Sequence, residues 1–288
     1  MWTDYACVGA RVGYSPFVAV AKSLEAENDG GTYVHLEVFT MTASAGVIDY
    51  EEHWSNSVAT YSNHPTSRHR RRFVMERLDR IKPRPGMFVF DYGSGPGLLL
   101  EQIKSAYTLR DDDLGGCDIS YTGINKARQR LRGGNFFVGE YPQLKRQIDI
   151  AITSEVIEHT AEYRQVLRWM SEHLKPGGHL IITTPGGTMD PPDEYYGHIQ
   201  HFTLPQLTGI LDELGFTVKV ARHWGFPLFS LQKWVTKRNF DTIRERYMHG
   251  ELDWKKRAIF KATYYAYFLH DILSMGPQIF IHAQKKTA

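Results

Sequence analysis

The stretch from Met87 to Leu100, Met-Phe-Val-Phe-Asp-Tyr-Gly-Ser-Gly-Pro-Gly-Leu-Leu-Leu, constrains the fold more than any other part of the chain. The apolar run Met87 to Phe90 has the continuity of a strand buried on both faces, as in a parallel sheet. It ends at Asp91, passes Gly93, Gly95 and Gly97, and Leu98, Leu99 and Leu100 then open a helix. Strand, glycine turn and helix start make a ligand cradle. Without Cβ atoms the turn lets a cofactor lie against the peptide units, and the free N–H groups at the helix start face it. A dinucleotide turn, Gly-x-Gly-x-x-Gly, would put its third glycine at 98, where this chain has Leu98.

Composition narrows the class. A chain of 288 residues, 42% hydrophobic with a formal charge of +2, has room for one α/β domain and an appendage, and its balanced charge argues against dependence on nucleic acid. Cys7 and Cys117 are too few for a disulfide framework or a cysteine zinc site. The start Met1-Trp2-Thr3-Asp4 lacks the basic region and apolar core of a signal peptide, so the expected compartment is cytoplasmic. No uncharged apolar run is long enough to span a bilayer; Ala258 to Leu273 is broken by Lys261, His270 and Asp271.

Residues 1–48 read as an N-terminal extension to which the sequence assigns no role. Residues 1–30 carry no clear period and end in the turn-like Asn28-Asp29-Gly30-Gly31, after which Tyr33 to Phe39 alternates as a short strand. Asp49-Tyr50-Glu51-Glu52-His53-Trp54 and Asn63 to Ser67 then precede a helix over Arg68 to Ile81, with Phe73, Val74, Leu78 and Ile81 near helical spacing, which Pro83 and Pro85 stop. The run Arg68-His69-Arg70-Arg71-Arg72 reads as a solvated helix face, with one arginine turned toward a bound cofactor as the alternative.

Beyond the glycine turn, a helix over Leu98 to Tyr107 leads through Asp111-Asp112-Asp113 to a second strand ending at Asp118. An acid there, about 20 residues after the glycines, can accept both hydrogen bonds of a ribose diol. The competing role is a helix N-cap, since Asp118 and Ser120 stand before the helical stretch Ile124 to Leu131; strand, acid and spacing together favour the sugar. Asn135 to Glu140 reads as a third strand. Ile148 to His159 then joins a fourth strand to a helix whose Tyr163, Val166, Leu167, Met170 and Leu174 form one buried face. Lys175-Pro176-Gly177-Gly178 stops it, and the strand His179 to Thr183, the segment His198-Ile199-Gln200-His201-Phe202-Thr203 and Leu211 to Val220 follow.

Asp91-x-Gly93-x-Gly95-x-Gly97 resembles the first motif of class I S-adenosylmethionine (SAM) dependent methyltransferases, and the ordered motifs from Asp49 to Val220 are similar to the ubiquinone-biosynthesis O-methyltransferases. The resemblance implies a Rossmann-like α/β fold, a seven-stranded mostly parallel sheet of order 3-2-1-4-5-7-6 flanked by helices. It implies SAM as cofactor, with Asp91, Gly93, Gly95 and Gly97 under its amino-acid part, Asp118 on the ribose, Glu140 toward the adenine amino group, and Ile119 and Ser154 as further binding positions. It also implies a core over 49–221, with residues 278–288 supplying the last strand and tail.

Methyl transfer is an in-line displacement at a sulfonium, so a hydroxyl acceptor must be held against the methyl and lose its proton. A neutral histidine can take that proton, or a divalent cation can lower the hydroxyl's pKa. Glu155, Glu158 and His159 stand at i, i+3 and i+4, neighbours if the strand end passes directly into a helical turn. Members of the family, and the related small-RNA 2′-O-methyltransferases, hold Mg²⁺ with an equivalent pattern, which carries over to Glu155, Glu158, His159 and His198, with His201 as substitute. Other members carry such a Glu-His pair without metal. Either way Glu155, His159, His198 and His201 are the candidate catalytic residues.

About 55 residues separate the sixth strand, Phe216 to Ala221, from the seventh, Gln278 to Ala283, so residues 222–277 read as an inserted helical lid. Its many aromatic residues are expected mostly to pack onto the sheet, with others facing an apolar acceptor or a second subunit. Lys233, Lys237, Arg238, Arg244 and Arg246 leave an acidic or a membrane-bound apolar substrate open. The expected activity is SAM-dependent O-methylation of a small hydroxylated molecule, such as a phenol. C- or N-methylation without metal, methylation of an RNA 2′-hydroxyl, and a non-catalytic SAM-binding partner are the alternatives.

Overall fold

The computed structural model describes residues 17–24, 36–43, 48–243 and 252–287. Two units divide the chain, Met1–Ile48 and Asp49–Ala288. In the first, β1 (Phe17–Leu24) pairs antiparallel with β2 (Leu36–Ala43). The sequence reading anticipated a strand only near β2; the turn expected at Asn28 to Gly31 lies outside the described residues.

The second unit opens with α1 (Tyr50–Asn56), α2 (Val58–Asn63) and α3 (Pro65–Ile81). Helix α3 starts three residues before the expected Arg68, because Pro65 at the first helical position has its φ pre-set for a helix and lacks only an N–H that would go unbonded there. There follow β3 (Val89–Tyr92), α4 (Leu98–Tyr107), β4 (Leu114–Asp118), α5 (Tyr121–Arg130) and β5 (Asn135–Val138). The remaining core consists of β6 (Ile148–Ser154), α6 (Tyr163–His173), β7 (Leu174–Pro185), α7 (Pro191–Tyr195), α8 (Leu204–Glu213) and β8 (Phe216–Trp224). In the segment between β8 and β9 that the sequence suggests is a lid, α9 (Leu228–Arg238), α10 (Phe240–Ile243) and α11 (Trp254–Ala266) lead to β9 (Gln278–Lys285).

The sheet order is β5-β4-β3-β6-β7-β9-β8, which is 3-2-1-4-5-7-6 when the core strands alone are counted. Strands β3 to β7 run parallel, and β9 enters antiparallel between β7 and β8. Alternation along the strands fills both faces. Phe90, Ala151, Leu180 and Ile281 meet Val166 and Leu207 of α6 and α8, whereas Val89, Ile150, Ile181 and Phe280 meet Phe73, Leu100 and Ile124 of α3, α4 and α5. A sheet covered on both sides explains why its central strands read as unbroken apolar runs. The parallel strands end together at the edge that carries the glycine turn, where ligands bind in such sheets.

Two expectations are corrected here. The arginine run on α3 is not a solvated face: α11 packs across it, so the Arg68 guanidinium lies 3.6 Å from the Tyr264 ring centre, Arg72 pairs with Asp271 at 2.8 Å, and Arg70 reaches Glu155 at 3.0 Å. Nor does β6 run into a helical turn. Glu155 adopts φ +59, and the turn that follows is a 3₁₀ turn over Ile157–His159, so Glu155 points away from the direction an α-helix would give it.

The lid is rooted by Trp224, which is fully buried among His69, Tyr267, His270 and Phe280. Phe260 and Tyr267 also turn inward, but Phe226, Trp234, Trp254, Tyr265 and Phe268 are exposed, so many lid aromatics do not pack the sheet. Arg244 and Arg246 lie outside the described residues. Among the described residues no helix is long and apolar enough to cross a membrane.

Candidate active site

The glycine turn closes over the end of β4. Gly93, Gly95 and Gly97 have φ of +81, +47 and +72, and the N–H groups of Gly93 and Ser94 donate to the Cys117 carbonyl at 2.8 and 3.0 Å. Two of these positions exclude side chains outright: a Cβ would stand 2.2 Å from Val156 Cγ2 at Gly93 and 2.6 Å from the Trp54 ring at Gly95. Asp118 ties the turn to the next helix, accepting from the Gly95 N–H at 2.8 Å and the Ser120 N–H at 2.9 Å. The N-cap of α5 is Ser120, whose Oγ accepts from the Gly123 N–H, so Asp118 is not used as that cap and each of its oxygens keeps a further lone pair.

Ile119 is half exposed beside Asp118, and Glu140 lies exposed in the loop after β5, near enough to Tyr92 and Cys117 to raise their pKa values. Asp91 is buried with Oδ1 unpartnered, as is Ser94 Oγ. Burial, and secondarily Asp118, pushes the Asp91 carboxyl up to about 8. Unpartnered Asp91 and Ser94 oxygens at a glycine turn, with the Asp118 carboxylate at the tip of the next strand, are chemically suited to the polar groups of a nucleoside cofactor.

Helix α1 clasps this half of the pocket, and the sequence reading assigned it no role. The Glu51 carboxylate accepts from the Tyr121 and Thr122 N–H groups, both at 2.8 Å, at the positive end of α5. Trp54 covers Gly95, and Lys126 Nζ bonds the Trp54 carbonyl. Tyr50 Oη lies 3.0 Å from His159 Nδ1, and burial and then the neighbouring Glu158 and Asp118 carboxyls raise its pKa. The available signal was Asp49, an N-cap before Glu51 and Glu52, which accepts from both their N–H groups.

The opposite wall is built from the ends of β6 and β7. Ser154 Oγ meets Thr183 Oγ1 at 2.7 Å. Glu155 is held by Arg70 at 3.0 Å, by Gln278 Nε2 at 2.7 Å and by Thr183 Oγ1 at 3.2 Å. Glu158 is fully buried, accepts from Thr184 Oγ1 at 2.9 Å and leaves Oε1 unpartnered; burial and then Glu155 hold its pKa well above the carboxylate range.

His159 Nδ1 is also 3.1 Å from the Gly197 carbonyl. A carbonyl only accepts, so a hydrogen bond to it calls for the tautomer protonated on Nδ1, with the Tyr50 hydroxyl accepting beside it and the lone pair left on Nε2. Burial lowers the His159 pKa to about 4. His198 packs edge-on against His159, contacts His201 Nε2 through Nδ1 at 3.0 Å, and is pushed down to about 2 by burial and the neighbouring imidazoles. His201, lowered by burial, lies 3.7 Å from Asp193, which Lys233 of α9 grips at 3.0 Å.

Of the four expected metal ligands, Glu158, His159 and His198 bring donor atoms within 4.8 Å of one another. Glu155 does not join them, because Arg70 and Gln278 take its carboxylate. Asp193, His198 and His201 form a second such group, but Lys233 already neutralises Asp193. Two imidazoles and one carboxylate suit an imidazole-preferring ion and do not match the oxygen octahedron that Mg²⁺ demands.

A family model described as a methyltransferase domain matches residues 67–220, more than half of the chain. The malonyl-[acyl-carrier protein] O-methyltransferase 1 of Coxiella burnetii is 29% identical over 116 residues, 39% of this chain and 38% of that protein. The ubiquinone biosynthesis O-methyltransferase of Caulobacter vibrioides is 29% identical over 129 residues, 40% of this chain and 49% of that one. The chain therefore spans less than half the length of these curated relatives. Among solved structures, a chain of the complex between the Haloferax volcanii Trm112 methyltransferase activator and a methyltransferase superposes with a TM-score of 0.55 at 15% identity, covering 83% of this chain and 98% of that one. The Haemonchus contortus phosphoethanolamine N-methyltransferase 2 in complex with SAM superposes at 0.52 and 15% identity, covering 88% of this chain and 64% of that one. These structural likenesses establish the fold. With the matched domain covering both the glycine turn and the His159 wall, the chain belongs to the class I SAM-dependent methyltransferase domain family.

Proposed function

We propose that this protein transfers the methyl group of SAM to a hydroxyl oxygen of a small molecule. The observation that carries the reading is the placement of His159: a half-buried imidazole whose Nδ1 lies 3.1 Å from the Gly197 carbonyl and 3.0 Å from Tyr50 Oη, with desolvation lowering its pKa to about 4, so that the tautomer protonated on Nδ1 offers a lone pair on Nε2. SAM supplies a sulfonium methyl to an in-line nucleophile and departs as the thioether. Asp118 and the glycine turn fix the nucleoside, and the Arg70–Glu155 pair holds the rim of the opposite wall at β6.

His159 Nε2 accepts the hydroxyl proton as the oxygen becomes alkylated. A weak base suffices, because the alkylated hydroxyl becomes far more acidic as the transfer proceeds. Tyr50 and the Gly197 carbonyl hold the ring, and His198 stands beside it as a second neutral acceptor. The O-methyltransferase names of the Coxiella and Caulobacter relatives support oxygen as the acceptor atom.

A metal-assisted version is favoured by one observation, the convergence of Glu158, His159 and His198. No step above is routed through an ion. The test is methyl incorporation from labelled SAM into a panel of phenols and catechols, with and without EDTA. Undiminished turnover in EDTA with O-methylated product is the expected result; labelled product on nitrogen or carbon, or none in any arm, refutes the oxygen reading, and loss in EDTA restored by a transition-metal ion establishes the metal version.

A further inference from the structure

Helix α9 is amphipathic the wrong way round. Leu231, Trp234, Val235 and Arg238 recur at i, i+3, i+4 and i+7, the spacing of one face, and all are exposed, Leu231 at 55% and Trp234 at 50%. Its polar residues turn inward: Gln232 bonds the Tyr267 hydroxyl and Lys233 the Asp193 carboxylate. Helix α11 repeats the pattern, burying Phe260 while Trp254, at 73% exposed, lies with Ala258, Ala262 and Tyr265 along the outer face. After α11, Leu269, Ile272, Leu273 and Met275 are exposed as well. This segment is tied to the start of α9 through the Phe226 N–H to Met275 carbonyl bond at 3.1 Å and His270 on the Leu228 N–H. Soluble chains seldom leave so much large apolar surface together without an occupant.

Charge identifies the occupant. Neither α9 nor α11 contains an Asp or Glu, yet they carry Lys233, Lys237, Arg238, Lys255, Lys256, Arg257 and Lys261. Lys233 and Lys237 are spent on Asp193 and Asp190, whereas Arg238 lies over the Trp234 ring at 3.8 Å and the four cations of α11 have no carboxylate partner among the described residues. At 100° per residue, Arg257 and Lys261 flank the Trp254–Tyr265 stripe on one side and Lys255 on the other. Tryptophan and tyrosine beside an apolar stripe, with long cations at its margins, are the chemistry of a helix lying in a headgroup region, where the cations reach anionic phosphates while their stems stay apolar.

We propose that the outer face of the lid, α9, α11 and residues 268–275, docks on the surface of an anionic lipid bilayer. A second copy of the chain fits this face poorly, since a two-fold contact would set the unpaired cations of α11 against themselves. The proposal goes beyond the methyl-transfer reading and does not depend on it. No helix spans the membrane in it; the lid lies on the surface.

Flotation of the full chain with vesicles tests it, comparing 3:1 phosphatidylcholine:phosphatidylglycerol with phosphatidylcholine alone. The chain is expected to float with the first and far less with the second, and to be released as salt is raised. Leu231→Ser with Trp234→Ser should weaken binding at least about tenfold, and Lys255→Glu, Arg257→Glu and Lys261→Glu together by roughly a hundredfold. Calorimetric binding of S-adenosylhomocysteine, unchanged in both variants, would show that they fold. Absence of flotation with anionic vesicles, equal flotation with both compositions, flotation that either variant leaves intact, or a stable solution dimer that Trp234→Ser dissociates each overturns the proposal. Retention on an acidic protein without flotation does so too.

Discussion

The two walls of the proposed site are made of different material. The cofactor wall, from β3 to β5, rests mainly on backbone: three left-handed glycines and N–H groups turned onto Cys117 and Asp118, with the side chains of Asp91, Ser94 and Asp118 set into it and α1 across it. The acceptor wall is almost all side chain, assembled from Tyr50, Arg70, Glu155, Glu158, His159, His198 and Lys233, which lie up to 183 residues apart in the chain. A backbone wall accommodates one ligand shape and changes little when surface residues change. A side-chain wall can be re-specified residue by residue, so it is the side that can set the acceptor.

If that division is real, substitutions on the two walls separate kinetically. The largest effect is expected for His159→Ala: a fall in kcat of about 10²- to 10⁴-fold, with S-adenosylhomocysteine affinity unchanged by calorimetry. Equal losses in turnover and cofactor affinity would break the comparison, because His159 would then belong to the cofactor wall. Asp118→Ala should do the reverse. Losing two hydrogen bonds to a carboxylate, each worth roughly 1.5–3 kcal/mol, predicts a cofactor affinity at least about a hundredfold weaker with kcat at saturating SAM little changed. An unaltered affinity would remove Asp118 from the sugar.

The same division explains what the sequence discloses. Glycine at 93 and 95 announces itself because a Cβ there would strike Val156 and Trp54, and the unbroken apolar runs announce buried parallel strands, whereas the sheet order followed from the family resemblance. Side-chain walls leave no such mark. Nothing in a linear reading brings Arg70 of α3 to Glu155 or Lys233 of the lid to Asp193, and i, i+3, i+4 spacing misled at Glu155 because a left-handed residue breaks the helical arithmetic before the 3₁₀ turn. The arginine run on α3 looked solvated for the related reason that α11, which covers it, lies some 190 residues later. Helix α1 is absent from the sequence reading, although Asp49 before Glu51 and Glu52 offered a cap signal; its clasp over Gly95 is tertiary.

Acid should distinguish the walls by stability. His69 and His270 at the root of the lid, and His159 in the acceptor wall, all lie lowered to about 4, each chiefly by burial. Their folded pKa values are below the ordinary 6.5, so the unfolded chain binds more protons in between: the stability they contribute is complete above 6.5 and is lost as pH falls toward 4. Melting followed between pH 7 and 4 should show Tm dropping by several degrees, with protease sensitivity appearing first in the lid. A flat Tm over that interval would mean that these imidazoles are not held neutral.

The smallest effect has the opposite sign and comes from the cofactor wall. Asp91 is pushed up to about 8, mainly by burial, and its Oδ1 has no partner to reward ionisation. Since the folded value lies above the ordinary 3.8, the stability tied to its proton is complete below 3.8 and is lost as pH rises through 8. Alkali therefore loosens the cradle where acid loosens the lid. Asp91→Asn keeps the shape of the protonated carboxyl and cannot ionise, so the cofactor-free variant should lose less Tm than the parent between pH 6 and 9. The expected difference is about 2–4 °C, what 1 kcal/mol is worth in a domain of this size. Parallel decline of the two proteins would place the alkaline liability outside Asp91 and leave the walls alike in how they respond to protons.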